Sequence, residues 1–187
     1  MTGWMMNWQI DPLLRLVIAG FIIVVLARAL MEKALAYPIF VANLRDYRLL
    51  PAAVAPSAAA MLVVAEAAAA VSLLVPALGS IGAILAAALF AIYAAAMAAV
   101  LLAGRSEIEC GCGGEGQAVS WALVARNLVL VALAASLLLP ASGRPVGWAN
   151  TLVGAAAIFV VYLLLAIAEK AIGNAAAIRR LDSRSHS

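Results

Sequence analysis

Five apolar runs, each close to twenty residues long and each ended by proline or glycine, constrain this chain more than any other feature. They lie near 13–36, 57–75, 81–103, 121–139 and 150–172. The breaks between them hold Pro51 and Pro56, Pro76 with Gly79, a glycine-rich run around Cys110, and Pro140 with Gly143 and Pro145. A helix of about 20 apolar residues spans the roughly 30 Å hydrocarbon layer of a bilayer. In lipid every backbone amide must find a partner within its own helix or in a closed barrel, and runs such as Leu128 to Leu139 lack the alternation of a barrel strand. The sequence therefore predicts an all-α, polytopic transmembrane helix bundle of five spans forming one domain over 1–187. Composition agrees: of 187 residues, 67% are hydrophobic and 11% charged, so water is not the main solvent. The first run continues through Met31 and Glu32 to Tyr37 without a small-residue cleavage site, and is expected to be a retained helix rather than a signal.

Alanine clusters such as Ala67 to Ala70 and Ala94 to Ala99 give faces on which helices in lipid approach closely. Coding bias explains such clusters equally well. Between the first two spans, 37–56 is interrupted by prolines and places Phe40, Leu44 and Tyr47 at helical spacing among polar residues. This is the pattern of an amphipathic cap lying on one mouth of the bundle. Trp4, Trp8, Trp121 and Trp148 fall near span ends, where indoles anchor in the headgroup region. The residues from 173 to 187 are expected to form a polar tail.

The net charge of +3 is scattered over loop ends and the tail, which argues against a nucleic-acid partner. The sole histidine is the penultimate His186, and the cysteines are Cys110 and Cys112, too few for a closed four-ligand metal site. No metal is expected, and no cofactor is certain.

The segment 104–120 is the one polar loop of unusual character, running Arg105-Ser-Glu-Ile-Glu-Cys110-Gly-Cys112-Gly-Gly-Glu-Gly116. Two thiols one residue apart close into a disulfide only with backbone distortion, which the surrounding glycines tolerate. A strained disulfide is easily reduced, and so suits exchange better than stapling. The dipole of the helix beginning near Trp121 favours thiolate, whereas Glu107, Glu109 and Glu115 oppose it and Arg105 compensates in part. A redox-active dithiol, a transient soft-metal site completed by a partner, and two ordinary loop cysteines all remain open from the residues alone.

Buried charge is the second signal, because ionisable groups within a span are costly and face the bundle interior. Glu66 in the second span, and Arg126 with Asn127 in the fourth, are the cases that matter. Glu66 is expected to face Arg126 beneath the cysteine loop, either tuning the thiols or handling protons, or, as an internal ion pair, fixing helix register. Arg15, Arg28, Glu32 and Lys33 lie nearer span ends and are expected to snorkel to the interface. Trp121 has a second reading, as the wall of a quinone pocket.

With these residues in view, the chain resembles the MauE family of methylamine utilisation membrane proteins, relatives of DoxX-like proteins. The resemblance runs from about Leu30 to Leu139. It rests on Lys33, Phe40-x-x-x-Leu44-x-x-Tyr47-x-Leu49-Leu50-Pro51, Glu66, Gly104-Arg105-x-x-Ile108-x-Cys110-Gly-Cys112-Gly and Arg126-Asn127. Gly114 stands where the family commonly has a bulky residue. The resemblance implies a role in disulfide formation in the small subunit of periplasmic methylamine dehydrogenase, beside a thioredoxin-like partner, MauD. By analogy with bundles of the vitamin K epoxide reductase type, it implies a four-helix core with one peripheral helix. Cys110 and Cys112 would exchange disulfide with the partner, a membrane quinone would serve as electron carrier, and Glu66, Arg105, Arg126 and Asn127 would be supporting groups.

Sidedness divides the signals. Arg45, Arg48, Arg105 and the basic tail fall on one side of a five-span chain, and the positive-inside rule puts that side in the cytoplasm. The resemblance puts the cysteine loop in the periplasm of a bacterium whose inner membrane holds the bundle. We take the periplasmic side as the expectation, since a redox partner of secreted proteins has no substrate inside. The rival classes are a non-catalytic scaffold docking the thioredoxin-like protein through the cap, and a small transporter lined by Glu66 and Arg126.

Overall fold

The computed structural model describes residues 9–105, 119–145 and 147–185, with side chains left aside at 172, 173 and 175–185. Cys110 and Cys112 lie outside the described residues.

Helix α1 (Pro12–Leu35) starts where Asp11 accepts a hydrogen bond from the Leu13 amide at 2.8 Å, with Pro12 in the first turn, where its missing N–H costs nothing. The chain bends at Ala36, just ahead of Tyr37 and Pro38, and α2 (Tyr37–Asp46) follows. Helix α3 (Ala55–Leu74) is joined to α4 (Gly79–Leu102) by a 3-10 turn at Pro76–Leu78. Helix α5 (Trp121–Ser136) and α6 (Trp148–Ser185) complete the chain.

Packing places α1, α3, α4 and α5 in a ring, with α4 against both α3 and α5 and with α1 touching both α3 and α5. Helix α6 packs on α1 from outside and turns a largely unburied apolar surface outward. The expected four-helix core with a peripheral fifth helix is thus the observed architecture. Among the described residues four helices are long and apolar enough to cross a membrane, α1, α3, α4 with its preceding turn, and the first 24 residues of α6. Helix α5 is shorter, at 16 residues. At 1.5 Å per residue it covers about 24 Å. Its apolar run continues in tighter i to i−3 turns, with the amides of Leu137, Leu138 and Leu139 donating to the carbonyls of Ala134, Ala135 and Ser136. Pro140 explains the change, because the residue before proline is pushed out of helical geometry.

Small residues set the helix spacing. Ala59, Ala69, Ala83, Ala86 and Ala134 have no exposed surface. A Cβ added at Gly82 would lie 2.7 Å from the backbone nitrogen of Leu73, so α3 and α4 meet there at a distance only glycine permits.

The cap is helical over α2, and its apolar face is the expected one. Phe40 and Val41 pack against Ala55 and Ala59 of α3, and the Tyr37 hydroxyl donates to the Pro56 carbonyl at 2.8 Å. Tyr47 is buried as well. At the opposite end, Ile10 pairs with the 140–142 segment, its amide donating to the Pro140 carbonyl and its carbonyl accepting from the Ser142 amide. The polar tail is itself helical, since α6 continues to Ser185. The stretch from Asn174 to Leu181 is rich in alanine and arginine with neither proline nor glycine, so helix propensity carries α6 beyond its apolar part.

Candidate functional site

The cysteine segment leaves the bundle at a well-defined cap. Gly104 takes φ of 72°, its amide donates to the Leu101 carbonyl, and the Arg105 amide donates to the Val100 carbonyl. These are the paired bonds of a Schellman ending, which favours glycine in the left-handed position. The Arg105 guanidinium then donates to the Tyr47 carbonyl at 3.3 Å, tying the end of α4 to the end of the cap. The chain resumes at Val119, which is buried, and Ser120, ahead of α5. Both described ends of the segment therefore sit on the mouth of the bundle that α2 covers.

Beneath that mouth lies a network of charged side chains. Lys33 of α1 and Glu66 of α3 form an ion pair with side-chain exposures of 1% and 0%. The Tyr93 hydroxyl of α4 donates to Glu66 Oε1 at 2.6 Å and accepts from Lys33 Nζ at 3.2 Å, closing a triangle. The Lys33 ammonium also stands 4.7 Å from the Tyr93 ring centre and 5.2 Å from that of Phe40, within cation–π range. Each element contributes one group: α1 the cation, α3 the anion, α4 the hydroxyl and α2 the aromatic cover.

A second group adjoins the first. Glu169 of α6 accepts from Arg28 of α1 at 3.0 Å and from Arg126 of α5, while Arg28 also pairs with Glu32 one turn along at 2.8 Å. Asn127 is buried but spends its amide on the Leu123 carbonyl, 2.9 Å away within its own helix. Both groups line one cavity of about 30 Å³, which Glu32, Glu66, Tyr93, Arg126 and Glu169 share. A neighbouring apolar pocket of about 60 Å³ lies between α2, α3 and α4, with Tyr93 common to both.

The site corrects two expectations. Glu66 does not pair with Arg126; its partners are Lys33 and Tyr93, while Arg126 pairs with Glu169. Both arginine and glutamate nevertheless face the same cavity. Lys33 does not snorkel to the interface, because α2 folds back over the end of α1 and puts the Phe40 ring in the way. Arg28 is likewise drawn inward by Glu169 and holds Glu32 beside it, whereas Arg15 reaches the Leu139 carbonyl at the far end of the bundle. Trp121 is 57% exposed and does not line the cavity. Glu169 and Tyr93 were not singled out in the sequence; the signal available was an acid within the apolar part of α6 and a hydroxyl-bearing aromatic in the middle of α4.

The family described as "Methylamine utilisation protein MauE" matches residues 11–140. A methylamine utilization protein MauE of Paracoccus denitrificans is 39% identical over 143 residues, covering 75% of each chain. The corresponding protein of Paracoccus versutus is 40% identical over 158 residues, 82% of this chain and 84% of that one. That of Methylophilus methylotrophus is 35% identical over 102 residues, 54% of each. No solved structure is significantly similar to the chain.

Proposed function

This chain belongs to the MauE family of methylamine utilisation proteins, and from that premise we propose that it is a membrane thiol-disulfide exchange protein serving methylamine utilisation. Cys110 and Cys112 are the exchanging pair, a thioredoxin-like protein of the MauD type is the partner, and the client is the disulfide-rich small subunit of a periplasmic methylamine dehydrogenase. The observation that carries this is the anchoring of the cysteine segment. It begins at Arg105, held to the cap by the Tyr47 carbonyl, and ends at buried Val119, on the mouth of a bundle that offers no comparable polar loop among its described residues.

One round of exchange balances between the two proteins, and reclosing the Cys110–Cys112 bond afterwards takes a two-electron oxidant. A partner thiolate attacks one sulfur of the Cys110–Cys112 disulfide, a mixed disulfide forms, and the displaced cysteine takes a proton. The partner's second thiolate then attacks the mixed disulfide, leaving the partner oxidised and both cysteines here as thiols. A quinone would accept the two electrons in the reverse half of a cycle. The described cavities, about 30 and 60 Å³, are well below the roughly 150 Å³ that a six-membered ring requires. They do not fit a quinone ring, and no step is routed through one. Arg105 orients the loop, and Glu66 with Arg126 belongs to the network below it.

Single serine replacements test the proposal. Cys110→Ser or Cys112→Ser should leave one cysteine able to trap a mixed disulfide with the thioredoxin-like partner, visible on a non-reducing gel and lost on reduction. Growth on methylamine with both cysteines replaced would mean that the chain is a scaffold.

A further inference from the structure

The innermost carboxylate of the bundle is only half used. Glu66 is wholly buried, Oε1 serves both Lys33 and Tyr93, and Oε2 has no hydrogen-bond partner. On the other wall of the same cavity, Arg126 Nε is buried and equally unpartnered. An acceptor and a donor left over on one cavity of about 30 Å³ match the needs of internal water, which occupies a site when about 10–15 Å³ and two or more polar partners are available. The cavity also reaches Glu32, whose side chain is 34% exposed. Water bound in that cavity would bridge Glu66 towards Glu32.

We propose that Glu66 is a membrane-buried proton-exchange site, served by the Lys33–Tyr93 pair on one oxygen and by cavity water on the other. Protons move in two legs. A proton passes from Lys33 Nζ to the Tyr93 hydroxyl, which gives its own to Glu66 Oε1, so the ion pair becomes a neutral amine and a neutral acid with the hydroxyl restored. No net charge moves into the bundle, which keeps the step affordable in low dielectric, where isolated charge is strongly disfavoured. Glu66 then trades its proton with cavity water, and Lys33 regains one by the same route.

The surroundings are electrically balanced. From α1, Arg28 and Glu32 face the cavity beside Lys33; α5 presents Arg126; α6 presents Glu169 and the Tyr162 hydroxyl. Helix α2 supplies the Phe40 ring over Lys33. Counting Lys33, Arg28 and Arg126 against Glu66, Glu32 and Glu169 leaves no excess charge. Among the described residues no cluster there could hold a metal ion.

The experiment uses the full chain in phosphatidylcholine vesicles with dicyclohexylcarbodiimide, a lipid-soluble reagent that modifies carboxyl groups only when they carry a proton, and reads adducts by peptide mass spectrometry. Glu66 should be modified, and Tyr93→Phe should slow Glu66 severalfold while leaving Glu32 modification unchanged. Glu66 unmodified at every pH, in a sample where Glu32 is modified, would overturn the proposal. So would a Glu66 rate that Tyr93→Phe leaves unchanged. The readout does not involve the cysteines, so its failure leaves the thiol chemistry untouched and is distinguishable from failure of that chemistry.

Discussion

Lys33 on α1 and Glu66 on α3 are paired deep in the bundle, with 1% and 0% of their side chains exposed, and the Tyr93 hydroxyl bridges them from α4. Three of the four core helices thus meet at one charge-balanced point. From the helix ends on the cap side, Glu66 is eleven residues into α3 and Asn127 six into α5. These correspond to depths of about 16 and 9 Å at 1.5 Å per residue. The pair fixes the relative register of α1 and α3 because any slip strands a charge in low dielectric.

Breaking the pair from one side is therefore expected to be severe. Lys33→Met leaves Glu66 without its cation and should destabilise the fold by about 3–5 kcal/mol, whereas the double change Lys33→Met with Glu66→Leu should recover most of that loss. Thermal unfolding in detergent of the two single variants and the double variant measures the coupling.

Tyr93→Phe removes one hydroxyl that serves both charges. The expected loss is about 1.5–3 kcal/mol, the scale of a hydrogen bond to a charged group, without loss of helicity. Circular dichroism with thermal unfolding separates the two quantities.

Glycine positions that look equivalent in the sequence should behave differently. A Cβ at Gly82 meets the backbone nitrogen of Leu73 at 2.7 Å, and backbone cannot step aside; at Gly20 it meets the terminal Cδ1 of Ile158 at 2.3 Å, which can rotate away. Gly82→Ala should cost about 1–3 kcal/mol and Gly20→Ala clearly less. Comparing their melting temperatures under one detergent decides it.

Glu169 ties α6 to α1 and α5 by charge, through Arg28 and Arg126. Glu169→Leu should lower stability by about 1.5–3 kcal/mol and loosen α6 selectively. Cross-linking between cysteines introduced at Leu16 and Gly154, which face each other across α1 and α6, should fall in yield, while a pair across α3 and α4 should be unaffected.

Much of this architecture is written in the local chemistry of the chain. Pro12, Pro38, Pro56, Pro76 and Pro140 mark where helices begin or end, because proline is tolerated in a first turn and excludes the helix before it. Phe40 and Tyr47 reveal the buried face of the cap by spacing alone. Partner choice was not legible. Glu66 and Arg126 are both recognisable as buried charges, yet which meets which depends on the rotation of each helix, a property of packing across the bundle. Lys33 stands two residues from the end of α1, where lysine ordinarily reaches water. Only the fold-back of α2 at Ala36, which lays Phe40 over the ammonium, traps it inside. Its presence alongside Glu66 in the pattern shared with the family was the one hint. The apolar part of the last helix ends at Ala171, while α6 itself runs on as helix through the polar tail because helix propensity does not fall with hydropathy.

The proposed chemistry depends on a bond between Cys110 and Cys112 that opens and closes on the periplasmic face. Intact cells growing on methylamine, treated with a membrane-impermeant maleimide before and after mild reduction, test this most directly. The account predicts that both cysteines become labelled from outside and that reduction raises the labelled fraction. Two thiols fully reduced without treatment, labelled only after the cells are broken open, in a culture that still grows on methylamine, would contradict it.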